Sequence, residues 1–512
     1  MILLFLCYMK HMKYLDRRLF KKKIFFLFIF LFILSIPLSA QITIRHQVAT
    51  PKPPDSLDLA YYSKKKWFQA GATAFGLNMG VWAFDRYIQR GHFAYINIHT
   101  MKENFRKGFI WDNDYMGTNF FLHPYHGNLY FNAGRANGLN YWESGAVALG
   151  GSAMWELFME CEYPSTNDII ATPIGGMALG EVLYRTSDLI LDDRRTGTSR
   201  FGHELAAFVI SPMRGLTRII NGDAWRKRPT SGKQFGVPDV SVDISMGVRA
   251  LELKEPIIDK GLGFATNINI EYGDRFEAET NKPFDYFTFK ANLNGQGSQP
   301  ILSQLNIMGR LYSAEIVDNS KDFLSFGVYQ HFDYYDSDTI SDVSSRVPYK
   351  FCTPASVGLG LIHKSKRFKN IDFSSYAHFT GIILGASLSD HYVVSDRNYN
   401  LASGFSWKLG GSIAYKDIIS VAANYEGYRM FTWKGYPQDI DWDNIEIKTL
   451  DAQGDHSQAI LHAISLRVDL KLKKDLYLTG IGYNYTRDTN YKYFDDVFSK
   501  TSEGRLMLTY KF

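Results

Sequence analysis

The sequence predicts a membrane β-barrel of about twelve antiparallel strands preceded by an α-helical domain. Three observations predict it. Apolar and polar residues alternate from residue 237 to the end, short connections alternate with long ones, and the last alternating segment ends on Phe512.

The alternation comes first because it recurs most often. Val240, Val242, Ile244, Met246 and Val248 interleave with Asp239, Ser241, Asp243, Ser245, Gly247 and Arg249. Ile460, Ile464, Leu466, Val468 and Leu470 interleave with Ser465, Arg467, Asp469 and Lys471, and Leu506, Leu508, Tyr510 and Phe512 with Arg505, Thr509 and Lys511. Side chains on a strand point alternately to its two faces, so each run has one apolar and one polar face. Strands are expected near 239–253, 261–276, 284–295, 301–316, 322–336, 351–365, 372–389, 400–415, 418–433, 459–472, 475–487 and 501–512. An even number lets both ends of the barrel face one side.

The connections test that reading. If the first strand runs outward, the even-numbered connections face the periplasm and should be short. The eighth is Lys416-Asp417 and the tenth Lys473-Lys474, whereas long outer loops are expected near 337–350, 434–458 and 488–500. A soluble β-sandwich has no reason to sort its loops in this way. A final strand ending in Phe512 also resembles the C-terminal signal read by the outer-membrane assembly machinery. That machinery and the surrounding outer-membrane lipid are the expected partners.

Composition agrees. Aromatic residues make up 15% of the chain, enough for two girdles at the membrane faces. Mean hydropathy is −0.19, which a barrel permits because alternate residues face a polar lumen. The formal charge of +5 is concentrated in residues 1–40, where seven Lys and Arg stand against Asp16. Without that +6 segment the remainder carries −1 (5 − 6), so charge gives no case for nucleic acid. The basic stretch Arg17–Lys23, the apolar run Ile24–Leu34 and Leu38-Ser39-Ala40 read as a secretory signal over 1–40, with Met1, Met9 or Met12 as its start. Residues 41–60, with Pro51, Pro53 and Pro54, read as a flexible N-terminus. The expected location is therefore the Gram-negative outer membrane. Cys161 and Cys352 fall in different segments, and no disulfide is assigned to them.

Residues 61–236 read as helical and rich in small residues. Helices are expected over 64–89, 142–162, 167–191 and 202–210, with another after Pro212. Gly76 and Gly80, and Gly176 and Gly180, are each one helical turn apart, a spacing that lets backbones approach closely. The domain is expected to lie in the periplasm or to plug the lumen.

Polar residues concentrate in one stretch: His123-Pro124-Tyr125-His126-Gly127, Arg135, Trp142-Glu143-Ser144, Trp155-Glu156, Glu160, Pro164-Ser165-Thr166-Asn167-Asp168, Thr172-Pro173-Ile174-Gly175-Gly176 and Gly180-Glu181, then Arg185. The run, over about 120–222, resembles a family of Gram-negative outer-membrane proteins of unknown function marked by HP-x-HG, WE, PS-x-ND, TP-x-GG and GE. The resemblance implies placement beside a barrel and implies no activity.

Three readings of these residues compete. His123 and His126 could ligate a divalent metal with Glu143, Glu156 or Glu160, although HxxH in a Pro-containing loop is a weak pattern. His126 could serve as a general base with Ser144 or Ser165 as nucleophile, but no G-x-S-x-G elbow accompanies them. The reading favoured here is structural. Glu156 with Glu160 and Glu181 with Arg185 sit one turn apart on helices, and Ser165 or Asn167 caps the third helix beside Asp168. The candidate catalytic residues are thus His123, His126, Glu143 and Asp168, and the candidate binding residues Arg135, Glu156, Glu160, Glu181 and Arg185. No metal or cofactor is assigned, and His203-Glu204 lacks the second His of a zinc-protease motif. Inward Arg249, Asn267, Asn269, Glu271, Lys290, Asn292, Arg310, Arg467 and Asp469 predict a lumen of mixed sign. A structural role, a narrow channel and a lipid-directed hydrolase all remain open, an enzyme being the less favoured.

Overall fold

The computed structural model describes residues 64–253, 262–277, 280–295, 299–339 and 347–512. The expected leader and flexible N-terminus lie outside them. The chain divides into a helical unit, ending at Pro238 and including residues 446–451, and a barrel unit of Asp239–Ile445 and Ala452–Phe512.

Among the described residues the helical unit has seven α-helices: α1 (Trp67–Phe84), α2 (Ile98–Lys107), α3 (His123–Ala136), α4 (Tyr141–Met154), α5 (Thr166–Ile190), α6 (Gly197–Ile210) and α7 (Pro212–Ile220). Their starts follow capping chemistry. Asn97 and Asn140 each form a capping box, with Thr100 and Glu143, and Ser165 Oγ accepts the amide of Asp168. Single π-turns extend α1 and α4, at Asp85–Gln89 and Trp155–Met159, and precede α3 at Thr118–Leu122.

Two expectations are corrected here. The HPYHG segment is not a loop but the first turn of α3. Pro124 falls in that first turn, directly after the π-turn Thr118–Leu122, where its fixed φ fits the helix. Gly76 and Gly80 do not bring helices together, because a Cβ at either would meet nothing within 4 Å. Close approach occurs where α3 crosses α5. A Cβ at Gly127 would lie 1.7 Å from the Thr172 carbonyl oxygen, and one at Gly176 would lie 2.4 Å from the Gly127 carbonyl carbon. Gly180 is covered by Phe131, and Gly151 by Tyr130.

The barrel is a closed ring of twelve antiparallel strands in chain order, with β1 pairing to both β2 and β12. The strands are β1 (Val240–Leu253), β2 (Leu262–Tyr272), β3 (Phe287–Asn294), β4 (Leu302–Asp318), β5 (Asp322–Asp336), β6 (Lys350–Ser365), β7 (Ile371–Leu388), β8 (Tyr399–Tyr415), β9 (Ile419–Phe431), β10 (Ser457–Lys473), β11 (Leu476–Tyr491) and β12 (Val497–Lys511). Each falls where the alternation places it. Closure runs from Asp243 opposite Lys511 to Leu253 opposite Thr501, which removes the unpaired edge that lipid would not tolerate.

Tight connections at 319–321, 366–370, 416–418 and 474–475 lie at one end. Two connections depart from expectation. The second, 273–286, is long because it runs back along β4, with Thr280 bridging Ser313 and the Phe284 amide donating to the Arg310 carbonyl. The eleventh is short, since β11 and β12 keep pairing up to Thr489 and Val497, and so no long loop spans 488–500.

Val248, Leu359, Phe379, Leu409, Ile464, Leu466, Leu506 and Leu508 are exposed on the outer surface. Their inward neighbours Arg249, Asn267, Asn292, Arg310 and Asp469 are buried. The aromatic surplus is not confined to the outer girdles. Tyr335, Tyr349, Phe351, Tyr428 and Tyr485 form a buried cluster within the barrel unit.

Candidate functional site

Because α3 is helical, His123 and His126 share a face one turn apart. His123 Nε2 lies 3.5 Å from Asp168 Oδ2 at the start of α5. His126 takes a different position. Its ring stacks on Tyr130, with centroids 4.5 Å apart, and meets the edge of Trp155 at 5.3 Å. Burial, helped by His123, lowers its pKa to about 3, so it is neutral at physiological pH and a poor proton acceptor. Its Nε2 is buried without a hydrogen-bond partner among the described residues.

A buried carboxyl cluster surrounds Asp168. Asn167 Nδ2 lies 3.1 Å from both Asp112 Oδ1 and Asp168 Oδ1, and its Oδ1 accepts the Asp112 amide at 3.2 Å. Asn119 donates to Asp112 at 2.6 Å, and Glu156 Oε2 accepts the amide of Ser165 at 2.7 Å. Burial, together with the carboxylates of Asp112 and Glu156, pushes the Asp168 pKa well above the usual range. A carboxyl buried beside other acids ionises at a cost, so the neutral form of Asp168 is favoured. Sequence reasoning missed Asp112. The signal was the acid pair Asp112 and Asp114 just ahead of the His-Pro motif.

The structure thus gathers His123, Asp168 and Glu156, with His126 beside them. Glu160 is adjacent, accepting from the Trp155 indole, and its carbonyl receives Asn104 Nδ2 at 3.0 Å. Glu143 does not join the group. It closes the α4 capping box and pairs with Lys65 at 2.6 Å; that hydrogen bond lowers its pKa most. Metal ligation by His123 and His126 with Glu143 therefore has no geometric basis.

The hydrolase reading fails on position. Ser144 lies against Gly134, eight residues along α3 from His126, or about 12 Å at 1.5 Å per residue. Ser165 Oγ is engaged as the α5 cap.

Arg135, Glu181 and Arg185 make a separate cluster. Arg135 grips Glu181 with two nitrogens at 2.7 and 3.0 Å, and Arg185 Nε adds a third contact at 2.8 Å. Glu181 is fully buried, so these residues neutralise one another rather than await a ligand. Farther along α5, Asp188 takes Arg214 of α7 and the amides of Gln234 and Phe235. His203 Nδ1 sits 2.6 Å from the Ile190 carbonyl, a structural contact at the end of α5.

The barrel interior has its own polar network. Arg249 of β1 donates to Tyr349, just before β6, at 3.1 Å and to Glu503 of β12 at 3.0 Å. Arg505 also holds Glu503. Lys408 of β8 pairs with Asp333 of β5, which accepts Tyr428 of β9 at 3.2 Å, and Tyr335 of β5 donates to Glu426 of β9 at 3.1 Å. Arg467 joins Asp469 and reaches Asp243 of β1 at 3.0 Å. The expected mixed-sign lumen is present, and its charges are largely paired.

No curated protein matches the chain. Among solved structures, the NanC porin is similar over 52% of this chain and 98% of its own, at 9% identity and a TM-score of 0.25. OmpT of Vibrio cholerae is similar over 54% and 99%, at 8% and 0.23. The Ralstonia pickettii toluene transporter TbuX is similar over 54% and 89%, at 11% and 0.22. Residues 108–213, the stretch that holds both His123 and Asp168, match the family model DUF3943, a domain of unknown function.

Proposed function

We propose that the protein is an outer-membrane anchor whose barrel is closed to passive flow and whose role is structural. The observation that carries this reading is the tie from Tyr349 to Arg249 and Glu503. Tyr349 lies on the β5–β6 connection, and because β6 stands opposite β1 and β12 in the ring order, this connection reaches across the barrel to meet them. A second set of ties joins β5 to β8 and β9 through Asp333, Lys408, Tyr428, Tyr335 and Glu426. Tyr349 and Tyr485 pack against each other, tilted, with centroids 4.3 Å apart. A water-filled pore lines its walls with solvated groups, whereas here the side chains use one another as partners. The apolar outer face and the paired ring support a place in lipid, and the short-turn end supports the outer membrane as that place.

The enzyme reading has less support, because Ser144 lies about two helical turns from His126 and Ser165 Oγ accepts the Asp168 amide. The test is conductance of the full chain in a planar bilayer. A quiet baseline at moderate voltage is expected, and steady single-channel steps from the unmodified protein would overturn the proposal.

A further inference from the structure

We propose that His92, Cys161 and Glu162 form a zinc site on the surface of the helical unit. One ligand atom from each, an imidazole nitrogen, a thiol sulfur and a carboxylate oxygen, lie within 4.8 Å of one another. His92 Nδ1 is already 3.6 Å from Glu162 Oε1, and the Cys161 thiol lies 3.4 Å from the His92 carbonyl oxygen. Zinc bonds of about 2.0–2.3 Å at tetrahedral angles place donor atoms about 3.3–3.7 Å apart. Side-chain rotation alone can close the difference, since His92 is exposed and Cys161 and Glu162 are half-buried.

The backbone beneath is fixed on both sides. His92 opens a short turn after α1, where the Gly91 amide donates to the Asp85 carbonyl at 3.0 Å and the Trp82 indole holds the Ala94 carbonyl at 3.0 Å. Cys161 and Glu162 lie between α4 and α5. The Cys161 amide donates to the Phe93 carbonyl at 2.8 Å, which ties the two segments together one residue from His92. Asn104 of α2 secures the Glu160 carbonyl on the other side. A site built this way needs little ordering when a cation arrives.

The donor set points to the metal. Sulfur and imidazole nitrogen suit zinc, while magnesium and calcium take oxygen. A thiolate, a carboxylate and a neutral imidazole sum to −2, which a divalent cation balances. Binding releases the thiol proton now directed at the His92 carbonyl, so affinity falls as pH falls. Three protein ligands leave a fourth position for water or another donor.

The test uses the full chain in detergent micelles, titrated with Co2+ alone. The expected result is a near-ultraviolet thiolate-to-cobalt band that saturates at one ion per chain and is removed by Zn2+. Cys161→Ser should abolish the band, and His92→Ala and Glu162→Gln should each weaken binding at least about tenfold. Cys352→Ser should leave it intact, because that thiol is buried in the barrel unit. An unchanged helical circular-dichroism signal confirms that the helical unit of each variant is folded. No band from the folded unmodified chain, or a band that survives Cys161→Ser, would overturn the proposal.

Discussion

Adding one methyl group at four glycines should give effects of opposite sign, according to whether a second helix lies against the position. At Gly127 the new Cβ would fall 1.7 Å from the Thr172 carbonyl oxygen, and at Gly176 it would fall 2.4 Å from the Gly127 carbonyl carbon. Ordinary contact begins near 3.4 Å, so Gly127→Ala requires α3 and α5 to separate by roughly 1.7 Å (3.4 − 1.7). The obstructing atoms are backbone, and no rotamer change relieves them. Overpacking typically costs about 1–3 kcal/mol, and this case belongs at the upper end or beyond, because the whole α3–α5 contact must shift. At Gly76 and Gly80 the same methyl meets nothing, and exchanging Gly for Ala inside a helix gains about 0.5–1 kcal/mol. The assay is urea unfolding of the full chain in micelles, followed by the helical circular-dichroism signal. Gly127→Ala and Gly176→Ala should lower the midpoint sharply, while Gly76→Ala and Gly80→Ala should leave it equal or higher. If all four variants move together, the α3–α5 crossing does not organise the unit.

Glu181→Ala leaves Arg135 and Arg185 buried without their shared carboxylate, and should destabilise the helical unit by about 3–5 kcal/mol in the same unfolding assay. Glu143→Gln breaks a pair whose lysine is half exposed, and should cost under about 1 kcal/mol, which separates the two glutamates by measurement. The pKa of Asp168 is raised on folding, so its contribution is full below its unfolded value near 3.8 and is lost as pH rises through the folded value. Asp168→Asn should remove that decline, which is worth up to about 1.4 kcal/mol per pH unit. The pKa of His126 is lowered to about 3, so its contribution is full above 6.5 and is lost as pH falls toward 3. His126→Gln should flatten that acid-side loss. In the bilayer assay, Tyr349→Ala combined with Glu503→Ala should produce open-channel steps if the cross-barrel tie is what closes the interior.

The barrel could be read from sequence because each strand repeats the same two-residue rule and lipid enforces it. A slip of one residue would turn Ile464 and Leu466 inward and Arg467 into lipid, so register and pattern carry the same information. The connections were less legible. The 273–286 segment pairs with β4 through backbone groups, and backbone pairing leaves no mark in side-chain alternation. In the helical half, α3 was hidden by Pro124, Gly127 and Gly134, residues that ordinarily argue against a helix. The glycines are there because α5 and Ser144 press against them, a tertiary cause that local propensity cannot express. Helix α2 went unread although Asn97 and Thr100 form its capping box. Ser165, by contrast, was one of the two caps expected for α5, with Asn167 as the other, because a side-chain cap depends only on neighbours in sequence.

The dense polar run joins residues of two kinds, and pairing tells them apart. From Glu181 onward, each acid on α5 meets arginines held by another element or by the next turn: Arg135 and Arg185 for Glu181, and Arg214 for Asp188. Such pairs recover little net energy from burial, but losing one member is costly, so they fix which helix faces which. At the other end of α5 the acids meet amides, a histidine and one another. Asn167 bridges Asp112 and Asp168, His123 lies 3.5 Å from Asp168, and burial first, then the neighbouring acids Asp112 and Glu156, raises the Asp168 pKa. The Asp168 end therefore favours a neutral carboxyl, and the other end is held by opposed charges. Salt should weaken neither much, since both are buried. Rising pH should loosen only the Asp168 end, so amide exchange in Ser165–Ile169 should accelerate with pH beyond the intrinsic rate, while exchange around Glu181 should not. Equal acceleration at both ends would mean that the ionisation of Asp168 does not loosen its end of the helix.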